Sequence, residues 1–126
     1  MNTIAYFEIQ ASDPGKTMAF YRSVFGWNFI KEVLVPIEYY RIEGGGINGG
    51  LLKRPAPTPP QGSGTNAFTC SMVVENFDEA AKKILANGGK VALPKFAIPG
   101  RCWQGYFIDI DNNMFGIFEV DEGAGK

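Results

Sequence analysis

Residues 4–27 read Ile4-Ala5-Tyr6-Phe7-Glu8-Ile9-Gln10-Ala11-Ser12-Asp13-Pro14-Gly15-Lys16-Thr17-Met18-Ala19-Phe20-Tyr21-Arg22-Ser23-Val24-Phe25-Gly26-Trp27. The first part alternates as a strand over residues 4–10, with Tyr6, Glu8 and Gln10 on one face and Ala5, Phe7 and Ile9 on the other. Asp13 then offers a side-chain oxygen to a helix N-terminus, and Pro14 suits the first helical position, where an N–H has no intrahelical partner anyway. Met18, Tyr21, Arg22 and Phe25 keep helical spacing as far as Gly26, a stop signal. The stretch therefore predicts strand, tight turn, amphipathic helix.

Working outward, residues 27–52 are short aromatic and β-branched runs broken at Pro36 and in the glycine-rich segment 44–50, as in a meander of strands. Residues 55–65 hold four Pro and two Gly and no charge, which marks a linker between a module at 1–54 and a second at 66–126. The pattern then restarts. Residues 67–74 alternate as a strand, Asn76-Phe77-Asp78-Glu79 forms a capping box, and Ala80, Ala81, Ile84 and Leu85 give a helix ending at Gly88-Gly89. Strand-like runs follow at 90–92, 103–109 and 114–120. The two helix caps, Asp13 and Asn76, lie 76 − 13 = 63 positions apart in a chain of 126 residues. A duplicated βαβββ module in one α+β domain, 1–126, accounts for that spacing.

The chain has 12 basic and 13 acidic residues, and neither half carries the positive field of a nucleic-acid or anionic-membrane surface. No apolar run approaches the roughly 18 residues of a membrane span, and no secretory signal opens the chain, so a cytoplasmic protein is expected. Cys70 and Cys102 are expected to be buried free thiols. There is no His, which removes Ser-His and Cys-His catalysis and every His-bound metal.

Two motifs resemble ligand loops without their chemistry. Gly44-x-Gly46-x-x-Gly49 matches a dinucleotide fingerprint, but Leu51-Leu52-Lys53-Arg54-Pro55 follows instead of a helix N-terminus, so a twisted hairpin is expected. Asp109-x-Asp111-x-Asn113 opens like a calcium loop, yet Met114 and Val120 stand where Gly and Glu are required; a turn with Asx side chains bonding their own backbone is expected. Arg101, Trp103 and Tyr106, with Gln104 among them, could form a stacking wall or pack in the core. Cys102 beside Arg101 has no His or helix N-terminus near it in sequence to make it a nucleophile. Glu8 is either a solvent-facing strand carboxylate or a pocket carboxylate paired with Arg41.

Tyr6-Phe7-Glu8-Ile9, Asp13, the run Ala19-Phe20-Tyr21 through Val24-Phe25-Gly26-Trp27, Gly49-Gly50-Leu51, Asn87-Gly88-Gly89, and residues 107–111 with 115–119 together resemble the vicinal oxygen chelate superfamily. This is the glyoxalase, bleomycin-resistance and extradiol dioxygenase superfamily. The resemblance spans the whole chain. It implies two βαβββ modules whose mixed sheets curl around a cavity, in a homodimer. Active members hold a divalent metal with His and Glu from four strands. Carried over singly, those positions fall on Tyr6, on Thr69, on the acid-free strand around residues 49–53, and on or next to Gly116. No metal and no other cofactor is therefore expected.

The expectation that follows is a glyoxalase- or bleomycin-resistance-like protein that binds or sequesters a small molecule through Tyr6, Glu8, Arg41, Thr69, Ser71, Arg101, Trp103 and Tyr106. Two alternatives stay open: a lyase or isomerase with Glu8 or Tyr6 as acid/base, and a non-catalytic structural subunit.

Overall fold

Strand β1, Tyr6–Ala11, opens the computed structural model, which describes residues 2–60 and 67–126. Asp13 caps helix α1, Pro14–Phe25, by accepting a hydrogen bond from the Lys16 N–H at 3.1 Å. Gly26 ends the helix in the left-handed conformation, φ 74°, donating its N–H to the Arg22 carbonyl. Three strands follow: β2, Asn28–Lys31; β3, Tyr39–Glu43; and β4, Asn48–Lys53. The sheet order is β1-β4-β3-β2, with β1 parallel to β4 and the remaining pairs antiparallel. Helix α1 covers the face formed by Phe7, Ile42 and Leu51. Phe20, Tyr21 and Val24 are buried there, and Trp27 stacks on Tyr21 at 5.3 Å while meeting Phe7 edge-on at 5.8 Å.

The second module repeats this order with β5, Ser71–Val73; α2, Phe77–Ala86; β6, Lys90–Ile98; β7, Cys102–Ile108; and β8, Met114–Val120. Its sheet runs β5-β8-β7-β6, with β5 parallel to β8. Phe77, Ala80 and Ile84 are the buried face of α2. The chain thus divides into two compact units, Met1–Pro59 and Pro60–Lys126, each a four-stranded mixed sheet with one helix. The expected linker, 55–65, and the start of the expected second module at residue 66 lie partly outside the described residues.

Several local expectations are changed by the packing. The capping box at α2 forms only its first half, in which Asn76 Oδ1 accepts from the Glu79 N–H at 2.9 Å. The acceptor for the Phe77 N–H, at 2.7 Å, is Glu119 of β8 rather than a neighbour in sequence. Strand β6 runs past Pro94 to Ile98, longer than the 90–92 expected. It is an edge strand, and its register shifts between Leu93 and Phe96, so the missing proline donor is tolerated. The cysteines are free, as expected, but neither is buried: Cys70 is exposed and Cys102 intermediate.

The two look-alike loops are turns. Gly44 and Gly46 take φ of 96° and 93° between β3 and β4, conformations that a side chain would strain. Asp109 accepts from the backbone N–H groups of Asp111 and Asn113 at 2.8 and 2.9 Å, which explains a carboxylate only 3% exposed. Among the described residues no helix is long and apolar enough to cross a membrane.

Candidate functional site

Each sheet has a second face, turned away from its helix, and on it one glycine interrupts the row of side chains. In the first unit the row reads Glu8, Gly50, Arg41 across β1, β4 and β3. In the second it reads Ser71, Gly116, Tyr106 across β5, β8 and β7. Two residues along, Tyr39 sits opposite Leu52 and Gln104 opposite Phe118, so Tyr39 and Gln104 hold equivalent places.

Above Gly50 the side chains of β1 and β3 meet. The Tyr6 hydroxyl donates to Glu8 Oε1 at 3.1 Å and lies 2.8 Å from the Tyr39 hydroxyl. A Cβ at Gly50 would overlap both tyrosine hydroxyls, so the close approach of these rings to the strand depends on the glycine. The Tyr6 hydroxyl titrates well above the usual phenol range. Local desolvation is the largest cause, followed by its bonds to Tyr39 and Glu8, although the residue as a whole is 45% exposed. At neutral pH Tyr6 is a hydrogen-bond donor and a poor base.

Arg41 is not the partner of Glu8. Its Nε and Nη1 donate to Glu32 at 3.1 Å and Glu43 at 3.0 Å, the nearest carboxylates on β3 and just beyond β2. Those two exposed ion pairs keep the guanidinium protonated and partly neutralise it.

Above Gly116 the arrangement is polar but uncharged. A Cβ there would overlap the Ser71 hydroxyl and come within 2.8 Å of Gln104 Nε2 and 3.1 Å of the Tyr106 ring. Gln104 is buried, and its amide donates weakly to Ser71 Oγ at 3.3 Å and to the Gly105 carbonyl at 3.4 Å. The Tyr106 ring stacks on Phe96 at 6.5 Å. Thr69 is exposed and precedes β5.

Trp103 is on the opposite face from Tyr106, a correction to the expected wall of Arg101, Trp103 and Tyr106. Residues three apart on a strand point to opposite faces. The Trp103 ring instead packs under Lys95 Nζ at 4.8 Å, with Phe77 of α2 on the same ammonium at 5.3 Å, and its Nε1 donates to Asp121 at 3.0 Å. The Gly123 N–H, and after it the Trp103 bond, hold the Asp121 carboxyl below its ordinary range. Arg101 is exposed in the turn between β6 and β7. Expectation missed Tyr39 and omitted Gln104 from the site. Counting register outward from the 44–47 and 109–113 turns would have paired them with Leu52 and Phe118.

A divalent metal of the kind the resemblance implies does not fit these residues. Two of the four carried-over positions are hydroxyls, Tyr6 and Thr69. Of the other two, one falls on the acid-free strand around residues 49–53 and one on or next to Gly116, and the Cβ space at Gly50 and Gly116 is already occupied by hydroxyl and amide groups. Neutral hydroxyls are weak ligands compared with the imidazole and carboxylate donors that such ions require. Among the described residues no group of three His, Cys, Asp or Glu could hold an ion.

The family model described as Glyoxalase/Bleomycin resistance protein/Dioxygenase superfamily matches residues 3–117. Two curated mycobacterial proteins, from Mycobacterium bovis and Mycobacterium tuberculosis and each named "Putative glyoxylase CFP32", are 23% identical over 130 residues, covering 95% of this chain and 46% of theirs. The chain thus spans about half the length of those relatives. A glyoxalase/bleomycin resistance protein/dioxygenase family enzyme from Burkholderia phytofirmans superposes with a TM-score of 0.74 at 20% identity, over 93% of this chain and 98% of that one. The fosfomycin resistance protein FosX of Listeria monocytogenes does so with 0.75 at 18%, over 96% and 95%. At these identities the structural matches establish the fold.

Proposed function

The chain belongs to the glyoxalase/bleomycin resistance protein/dioxygenase superfamily, and from that premise we propose that it binds a small molecule without a metal ion. One observation carries the reading. The strands on which the family's acidic ligands fall carry no acid around residues 49–53 or at Gly116, and hydrogen-bonding groups fill the space above a glycine of each strand: Tyr6 and Tyr39 above Gly50, Ser71 and Gln104 above Gly116. Such groups orient a ligand by hydrogen bonds and ring contacts, without Lewis-acid polarisation. The family's name and the FosX match lend a resistance-type or sequestering role as context.

The test is a thermal-shift screen of small metabolites and antibiotics on protein dialysed against chelator. A true ligand raises the melting temperature by mass action whether or not chelator is present. Stoichiometric zinc, nickel, manganese or iron surviving dialysis, with ligand binding abolished by chelator, overturns the proposal.

A lyase or isomerase using Glu8 as base draws support from the Tyr6 bond that orients its carboxylate. The two readings separate in Glu8→Gln. A base loses turnover by about two orders of magnitude with affinity kept, whereas a binding residue loses affinity. The proposal extends to a homodimer, since among the described residues each sheet ends in two edge strands, β1 and β2 or β5 and β6, that a neighbouring module could cover.

A further inference from the structure

Proton bookkeeping at the first of these clusters selects the chemistry of what it can bind. Tyr6 has one hydroxyl hydrogen. Glu8 is a carboxylate and can only accept, so the 3.1 Å contact uses the Tyr6 hydrogen. The 2.8 Å contact between the two phenols therefore has Tyr39 as its donor, which consumes the only hydrogen Tyr39 has. The chain runs Tyr39 to Tyr6 to Glu8, and every donor in it is spent. What it still offers is lone pairs on the Tyr39 oxygen and the free Glu8 Oε2, with one negative charge.

The surrounding charges point the same way. Arg41, in the same row as Glu8 and Gly50, already donates to Glu32 and Glu43, so an anion approaching it competes with two carboxylates. Glu32 and Glu43 thus flank Arg41, and Glu8 lies in its row without an ion-pair partner of its own among the described residues.

Resting on the binding reading above, we infer that the Tyr39–Tyr6–Glu8 cluster is an acceptor-only subsite that takes the donor end of its ligand, a protonated amine or similar N–H-rich cation, and rejects a carboxylate or phosphate. Protonated amines bring both the hydrogens and the charge that the cluster lacks. Tyr6 acts here as a positioning residue that fixes Glu8 and Tyr39, and the contacts to ligand come from Glu8 Oε2 and the Tyr39 oxygen.

The test uses three probes that share one ring and differ in the end group: benzylamine, benzyl alcohol and benzoate at neutral pH. Each is titrated into the isotopically labelled full chain while the backbone amides of Glu8, Gly50 and Arg41 are followed by NMR. Benzylamine should shift these amides and bind at least tenfold more tightly than benzoate, with benzyl alcohol between. Glu8→Gln, at an exposed position of β1, should weaken benzylamine at least tenfold and narrow the gap to benzoate. Tyr39→Phe, which deletes an acceptor and keeps the ring, should weaken benzylamine several-fold.

Benzoate binding at these amides as tightly as benzylamine overturns the inference while leaving the binding reading intact. Benzylamine binding that ignores both substitutions also overturns it. If none of the three probes moves these amides, the subsite itself is refuted, and the thermal-shift screen then decides whether the chain binds a ligand elsewhere.

Discussion

Gly49 and Gly50 are neighbours in β4 with opposite surroundings, and the difference is measurable. A Cβ on Gly49 would drive into the Phe7 ring, which is held from behind by Trp27 at 5.8 Å, so relief requires moving packed aromatics. A Cβ on Gly50 would meet the hydroxyl ends of Tyr6 and Tyr39, which can swing away from the strand. Gly49→Ala should therefore cost about 2–3 kcal/mol and Gly50→Ala nearer to 1, read from urea unfolding midpoints, with Gly50→Ala also losing the hydroxyl pair. Tyr6 adds a pH signature. Its folded-state pKa lies above the unfolded phenol value, so the folded chain holds this proton more tightly. The stability linked to it is fully present below about pH 10 and falls as pH rises beyond that. Urea midpoints measured from about pH 9 upward should decline more steeply for the natural chain than for Tyr6→Phe; equal slopes would refute the shift.

Among the elements, the two helices are built alike where it matters most. Each begins on a side chain that accepts from the N–H three residues on, Asp13 to Lys16 and Asn76 to Glu79. Asp13→Ala and Asn76→Ala should each lower stability by about 1 kcal/mol, measured by chemical denaturation of the whole chain. The helices differ in their second support. Helix α2 has Asp78 and Glu79 in its first turn and borrows Glu119 from β8 for its Phe77 N–H, whereas α1 has no acidic residue there. Glu119→Gln should consequently cost less than Glu119→Ala, because the amide oxygen can still accept that bond.

For the molecule as a whole, light scattering at micromolar concentration should give about twice the chain mass of 13.8 kDa; a value of one chain mass would count against the proposed dimer. What the amino-acid sequence settled alone was whatever depends on neighbours along the chain. Asp13-Pro14 and Asn76 start helices, Gly26 and Gly88 stop them, Asp109 closes a turn on its own backbone, and the 63-residue interval between caps reveals the repeat. Local hydrogen bonds and φ preferences act within a few residues, so they are legible without the fold. Sequence likewise showed that no imidazole is available to hold a metal, since the absence of His needs no coordinates. Only tertiary structure decided who meets whom across strands. Arg41 pairs with Glu32 and Glu43 instead of Glu8, Trp103 turns to the α2 side, and Tyr39 arrives 33 positions from Tyr6 to complete the hydrogen-bond chain. Those outcomes depend on register, and a shift of one residue in a β-ladder exchanges its faces, so the same strand patterns are compatible with different partners until the sheet forms.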